Sequence, residues 1–297
     1  MNSSLQSLIT LKDFSRDVSS QEEVWNSVPE AELIRSFMNV VLCQRSMDFS
    51  HKLRTLNLFR RALSVQAPEF GDNYQKDAHE LLMTVFHQFR SLAPLLKEFA
   101  AMMGRSYRCP VEEHLVFTMR NTRTCKRCGA GSTCKEDFTN LSLNLVPGAS
   151  VQEMLQDYLM ETDLEFRCDC TANTSSQQST FVTLPKVLML NVKRFCFTPF
   201  KQMKKLSDLV HIYRELMLTS SQNDGWYSLV SIISHLGSEV NSGHYISDGI
   251  HPDTELDDPA DHWLTFNDAE VTHTTGDSVI QQRQHTAFIL FYQRRQM

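Results

Sequence analysis

No apolar run in this chain approaches the roughly 18 residues needed to cross a bilayer, so no membrane partner is expected. The N-terminus carries neither a charged-then-apolar leader nor an Arg- and Ser-rich amphipathic start, and no secretory or transit peptide is predicted. Positive charge is not in excess: 29 Lys and Arg against 35 Asp and Glu leave a net charge of −6. Phosphate backbones need a basic face, so nucleic acid is not expected as a partner. The compact basic cluster from Lys201 to Lys205 reads as a solvated loop. Without a secretory context the eight cysteines are not expected to form disulfides. Clustered thiols in a reducing compartment point instead to a metal or to catalysis. Internal repeats and long disordered linkers are also missing. These absences predict a cytoplasmic or nuclear globular protein, taken to be a monomer.

What is present suits a sizeable core. The 297 residues, 41% apolar and 22% charged, fit one large catalytic domain or two ordinary ones. Residues 1 to about 104 read mostly helical. Ser27-Val28-Pro29-Glu30 has the pattern of a capping box, ahead of an apolar stripe at Leu33, Ile34, Phe37, Met38, Val41 and Leu42. Asp77 to Leu92 repeats the helical period, with an acidic start that complements the helix dipole. After Cys109-Pro110 the pattern turns to strands: Glu112 to Thr124, Thr133 to Leu145, Phe181 to Val192, Tyr227 to His235, His244 to Asp248, Trp263 to Phe266 and Ala287 to Tyr292. Val151 to Met160 is predicted as a short helix, and Thr171 to Thr180 and His251 to Asp261 as surface insertions. Helices first and strands afterwards, with no regular alternation, predict an α+β architecture.

Two constellations carry chemistry. Cys125-Lys126-Arg127-Cys128 is a CxxC knuckle, and Cys168-Asp169-Cys170 follows some forty residues later. Four thiolates from two hairpin tips would make a closed tetrahedral site for structural Zn2+. Cys134 is a fifth thiol nearby that could replace one ligand, and the alternative is a site that has decayed and holds no metal. The other constellation is Gly243-His244-Tyr245 followed by Trp263-Leu264-Thr265-Phe266-Asn267-Asp268. It places a histidine after a glycine at a strand entry, with an amide and a carboxylate downstream. The plain alternative for Asn267-Asp268 is turn chemistry after a strand.

These segments, with the opening helix Asn2 to Leu8 and Gln75-Lys76-Asp77-Ala78-His79-Glu80-Leu81-Leu82, resemble the ubiquitin-specific protease family, papain-like cysteine proteases that remove ubiquitin. The resemblance spans nearly the whole chain. It implies a single hand-like catalytic domain: a helical thumb over residues 1–104, zinc-tipped β fingers over 105–180 and an antiparallel β palm over 181–297. It implies His244 as general base and acid and Asn267 as the group that orients it, through a bond expected at Nδ1. Asp268 takes an auxiliary catalytic position. Gln75, Asp77, Glu80, Gly243 and Tyr245 would border the channel for ubiquitin's tail. The partners implied are ubiquitin and ubiquitinated proteins, and no catalytic cofactor is implied.

The chain departs from the family pattern in four places. The family has glutamine where Lys76 stands and phenylalanine where Leu81 stands. Its second cysteine pair is spaced by two residues, where Cys168 and Cys170 are spaced by one. Most consequentially, the family's nucleophilic cysteine belongs just before the stretch matching Met1-Asn2-Ser3, and no thiol is there. Such a cysteine sits at a helix N-terminus because the dipole favours thiolate. Cys43, Cys109 and Cys196 read as buried or misplaced substitutes. The sequence therefore predicts an N-terminally truncated deubiquitinase domain, a thiol-dependent hydrolase of bonds at the ubiquitin C-terminus, inactive as written. The alternative of another class is a ubiquitin-binding scaffold without catalysis.

Overall fold

The computed structural model describes residues 1–72, 74, 76–237, 243–254 and 261–295. In chain order its helices begin with α1 (Asn2–Thr10), α2 (Lys12–Ser19), α3 (Glu22–Asn26), α4 (Glu32–Cys43), α5 (Phe49–Ser64), α6 (Ala78–Met102) and α7 (Pro110–His114). Strands β1 (Phe117–Cys125), β2 (Gly131–Phe138) and β3 (Leu141–Asn144) follow, then α8 (Val151–Leu159). Next come β4 (Thr162–Glu165), β5 (Thr174–Phe181), β6 (Val187–Lys193), β7 (Phe195–Phe197), β8 (Met203–Lys205), β9 (Glu215–Thr219) and β10 (Asp224–Leu236). The last elements are β11 (His244–Ile250), β12 (His262–Asn267), β13 (Glu270–Thr275), α9 (Gly276–Arg283) and β14 (Ala287–Arg294). The chain divides into two compact units, one of residues 1–114, 235–237 and 241–275, the other of 115–234, 238–240 and 276–297.

The first unit packs helices with the antiparallel run β11-β12-β13. Its helical core is aromatic. Phe37 and Phe89 meet edge to face at 5.9 Å and Phe14 lies 6.1 Å from Phe37, all three buried. Burying such side chains contributes about 1.5–3 kcal/mol each. Asp77 starts α6 as its N-cap, accepting from the His79 and Glu80 amides at 2.8 and 2.9 Å. Leu81, Leu82, Val85, Phe86, Phe89 and Leu96 then recur at helical spacing on the buried face. Helix α1 lies along β11, so closely that a β-carbon on Gly249 would sit 2.7 Å from Thr10 Oγ1.

The second unit holds a four-stranded sheet, β2-β1-β5-β4, and a run β10-β14-β6-β3 with β9 on the flank of β10. All the pairs in the four-stranded sheet are antiparallel, whereas β3 pairs with β6 in parallel. Phe117, Phe138 and Phe181 gather at the base of the four-stranded sheet, with centroids 6.0 and 5.4 Å apart. Beyond them β2 is exposed along nearly its whole length, so the far end of this sheet has little apolar core. By contrast β6 is buried at Val187–Val192. Arg194, fully buried, donates to the carbonyls of Ala287, Leu206, Asp208 and Gln284 at 2.7–3.2 Å. Those acceptors satisfy a guanidinium that would otherwise be costly to bury.

Several local expectations are corrected. Ser27 is not an N-cap: it is the C-cap of α3, its hydroxyl donates to Glu23 O, and α4 begins five residues later without a side-chain cap. Pro29 had already committed that stretch to a 3-10 turn. The chain does contain a capping box, at Ser150 and Glu153 on α8. Leu42 points outward, 74% exposed, while Val40 and Cys43 take the buried face. The start of the expected strand at Glu112 is helix α7, and Thr133 to Leu145 is two strands. The polar stretch Thr171 to Thr180 is largely β5, paired with both β1 and β4. Its Ser175 and Ser176 are buried, and a half-buried finger strand needs no apolar alternation. Lys201 to Lys205 belongs to a β7–β8 hairpin in which Lys205 is buried. The surface reading of His251 to Asp261 falls in part on residues 255–260, outside the described residues.

Candidate active site and metal centre

His244 opens β11 and Asn267 closes β12, strands that are hydrogen-bonded neighbours. The imidazole Nε2 lies 2.6 Å from Asn267 Oδ1. This corrects the expected use of Nδ1: the ring enters so that Nε2, not Nδ1, meets the amide. Asp268 follows in a left-handed turn, φ 52°, with its carboxylate 3.9 Å from the same Nε2. Asn267-Asp268 is thus both the turn into β13 and the neighbour of the histidine. The Asp268 carbonyl accepts from Asn2 Nδ2 at 3.1 Å, tying the turn to the start of α1.

The histidine faces an open cleft of about 450 Å³ lined by Met1, Asn2 and Ser3 of the opening helix, by Gly243, Tyr245 and Asp268, and by Arg60, Tyr74 and Lys76 opposite. Asp72 there holds Lys76 at 2.9 Å. That hydrogen bond, helped by the Tyr74 amide, keeps the Asp72 carboxyl below its usual range. Tyr245 donates to Asp77 Oδ2 at 3.1 Å, so the oxygens of Asp77 serve the α6 cap and Tyr245 together. Burial, then the Asp77 charge, pushes the Tyr245 phenol well above its usual range. Glu80 lies in the first turn of α6. Gln75 lies outside the described residues. The sequence reading missed Arg60 and Tyr74, whose only signal is their place in the fold, and quoted Asn2 only as the start of the opening helix.

Among the described residues none of the eight cysteines lines this cleft. Cys43 and Cys109 are buried, and burial raises the Cys109 thiol. Cys196 lies half-buried on β7.

In the second unit Cys125 and Cys128 sit at the β1–β2 turn and Cys168 and Cys170 at the β4–β5 turn. All four sulfurs lie within 4.8 Å of one another. Cys125 Sγ is 3.6 Å from Cys170 Sγ, and Cys128 Sγ is 3.6 Å from Cys168 Sγ. Four thiolates about 2.3 Å from a tetrahedral zinc stand about 3.8 Å apart, so the donor set fits the ion. The one-residue Cys168–Cys170 spacing is accommodated because Thr171 takes φ 69° and turns the chain beneath the cluster. Gly129, φ 72°, turns the other knuckle. The Cys128 and Arg127 amides lower the Cys125 thiol to about 6, which favours the ligand form. Against the Ala130 amide, the thiols around Cys128 push it up to about 12. Cys134 is exposed on β2 and is not part of the cluster.

An imidazole held by an amide at the edge of an open cleft, in an α+β chain with a four-thiolate cluster, is the arrangement that the resemblance to papain-like thiol hydrolases implies. The sequence profile of the ubiquitin carboxyl-terminal hydrolases matches residues 1–292, and the chain belongs to that family. Ubiquitin carboxyl-terminal hydrolase 37 of Mus musculus is 29% identical over 261 residues, covering 78% of this chain and 27% of the relative. Its Homo sapiens counterpart is 30% identical over 241 residues, covering 74% and 25%. The chain thus spans about a quarter of the length of these curated relatives. Among solved structures, a SAGA DUB module of Ubp8, Sgf11, Sus1 and Sgf73 bound to monoubiquitin matches with TM-score 0.82 and 23% identity. That match covers 100% of this chain and 67% of the other. The same module bound to ubiquitin aldehyde matches with TM-score 0.80 and 22% identity, covering 100% and 67%. At that identity the likeness is one of fold. It agrees with the α+β, finger-bearing architecture expected from the sequence.

Proposed function

We propose that these residues form the ubiquitin-recognising part of a thiol-dependent deubiquitinase, with residues 1–104, 105–180 and 181–297 acting as thumb, fingers and palm. The observation that carries the reading is the 2.6 Å contact between His244 Nε2 and Asn267 Oδ1 beside a cleft bordered by the start of α1. Ubiquitin's extended C-terminal tail occupies that cleft. A thiol just before Met1 loses its proton to His244 Nδ1 and its sulfur attacks the carbonyl of ubiquitin's terminal glycine. His244 returns the proton to the departing amine, and water then releases the acyl group with His244 again as base. Asn267 keeps the second ring nitrogen protonated and the ring aimed. Asp268 sits beside the imidazolium that forms. Asp77 and Glu80, with Tyr245 and Gly243, shape the channel. Bound zinc fixes the finger tips as a structural ion. Clustered reduced thiols suit the cytoplasm or nucleus.

The same cleft, lacking a cysteine among its lining residues, favours a second reading: the 297 residues alone bind ubiquitin without cleaving it. One experiment addresses both. The chain is titrated with ubiquitin and assayed on ubiquitin–AMC, alone and with an N-terminal extension that places cysteine at the head of α1. The expected result is binding by both and thiol-dependent turnover only by the extended form, abolished by His244→Ala. Turnover by the unextended chain, or failure to bind ubiquitin at all, overturns the proposal.

A further inference from the structure

The three residues that carry the histidine are held from beneath by another histidine. His235 is the penultimate residue of β10, with 1% of its surface exposed. Its ring centroid lies 4.7 Å from that of Tyr245, at 59°. The backbone of Gly243 runs against the same ring. A β-carbon there would stand 2.5 Å from His235 Cε1 and 2.7 Å from the Leu236 carbonyl oxygen, and closer still to Nε2. Glycine is required at 243 by this approach. Tyr245 is fixed at its other end by its hydrogen bond to Asp77 Oδ2, 3.1 Å, and Asp77 is the N-cap of α6.

Successive side chains on a strand point to opposite faces. Tyr245 is directed down onto His235 and toward Asp77, so His244 is directed the other way, into the cleft and toward Asn267. With 243 and 245 both pinned, the Cα–Cβ direction of 244 has little freedom left, and Asn267 restrains the ring itself. We propose that His235 is a positioning residue: its imidazole is the base plate that seats Gly243 and Tyr245 and thereby aims His244 at Asn267. It touches no substrate in this arrangement. A smaller side chain leaves the 243–245 backbone free to sink; a larger one lifts it. Displacements of about 1 Å at a reacting centre reduce rates by about 10²-fold. This inference rests on the reading of His244 as the working imidazole.

The test uses the chain as it is, ¹⁵N-labelled, with long-range ¹H–¹⁵N spectra that report which nitrogen of each imidazole carries its proton. Wild type is expected to show His244 as one tautomer, protonated on Nε2 toward Asn267. His235→Ala is expected to convert this to a mixture of both tautomers, while thermal melting stays cooperative. Gly243→Ala is expected to do the same, and to add less than its single effect in the His235→Ala background, where of these contacts only the clash with the Leu236 carbonyl remains. Should His235→Ala not fold, Tyr245→Phe removes one hydroxyl and carries the test, with partial mixing expected. An unshifted His244 in His235→Ala or, where that variant fails to fold, in Tyr245→Phe overturns the proposal, as does full additivity of the Gly243 and His235 changes. Titration with ubiquitin separates the two levels. If ubiquitin leaves the wild-type His244 signals unmoved, the functional reading fails, whatever the tautomers show.

Discussion

His244 Nε2 and Asn267 Oδ1 stand 2.6 Å apart, with Asp268 at 3.9 Å contributing charge but no hydrogen bond. On the proposed reading the amide does the orienting and the carboxylate is secondary. In a form of the chain carrying a cysteine ahead of α1, Asn267→Ala is expected to lower kcat on ubiquitin–AMC by about 10²-fold, with KM nearly unchanged. Asp268→Ala is expected to cost less than about tenfold. The reverse ranking would assign the orienting role to Asp268.

The finger tips have thiols where a core would be. With β2 exposed, metal replaces apolar burial as the force that closes the β1–β2 and β4–β5 turns on each other. Purified without chelator, the protein is expected to contain one zinc per chain by elemental mass spectrometry. Cys125→Ser or Cys170→Ser should abolish it, and Cys134→Ser should leave it intact, since Cys134 lies outside the cluster. Zinc retained by Cys125→Ser would mean that another group completes the site.

The readable parts of the sequence were those governed by local rules. The α6 stripe follows from period 3.6 and an acidic start, and both appear in the fold, where Asp77 proves to be the N-cap. The CxxC knuckle and the later cysteine pair converge in space. Ser27 misled because a Ser-x-x-Glu pattern does not reveal whether the preceding chain is already helical, and here it is. Strand β5 was unreadable because its stability comes from β1 and β4 on either side, and its own Ser- and Gln-rich stretch carries no apolar period. The role of Nε2 could not be read either, since ring orientation depends on where the cleft opens. Asp77 was read as part of an acidic helix start bordering the tail channel; its pairing with Tyr245, 168 positions away, is a tertiary fact.

That pairing carries its own prediction. Asp77 caps α6 through Oδ1 and accepts from Tyr245 through Oδ2. Asp77→Ala removes both and should destabilise by about 2 kcal/mol, about 1 of it from the lost cap. Tyr245→Phe should account for about 1 kcal/mol. Urea denaturation at neutral pH measures both. If Asp77→Ala costs no more than Tyr245→Phe, the cap is not contributing.

The final prediction concerns alkaline pH. Tyr227 and Tyr292 are fully buried, and each donates its hydroxyl proton, to Pro185 O at 2.6 Å and to Tyr213 O at 2.8 Å. Burial raises both phenols well above their ordinary value of 10.0. In the unfolded chain these phenols ionise near that value, while the folded chain still holds their protons. Their stabilisation is therefore complete below the unfolded pKa and is lost as pH rises toward the folded one. Stability should fall above about pH 10 by up to about 2.7 kcal/mol per pH unit from the pair. Tyrosinate absorbance from these two residues should appear together with loss of the fold rather than before it. Tyr292→Phe should roughly halve that slope, at a cost of about 1 kcal/mol at neutral pH because it leaves the Tyr213 carbonyl without its donor. Ionisation of Tyr227 and Tyr292 near pH 10 in a still-folded protein would show that water reaches these hydroxyls and that the sheet around β10 and β14 is looser than its packing indicates.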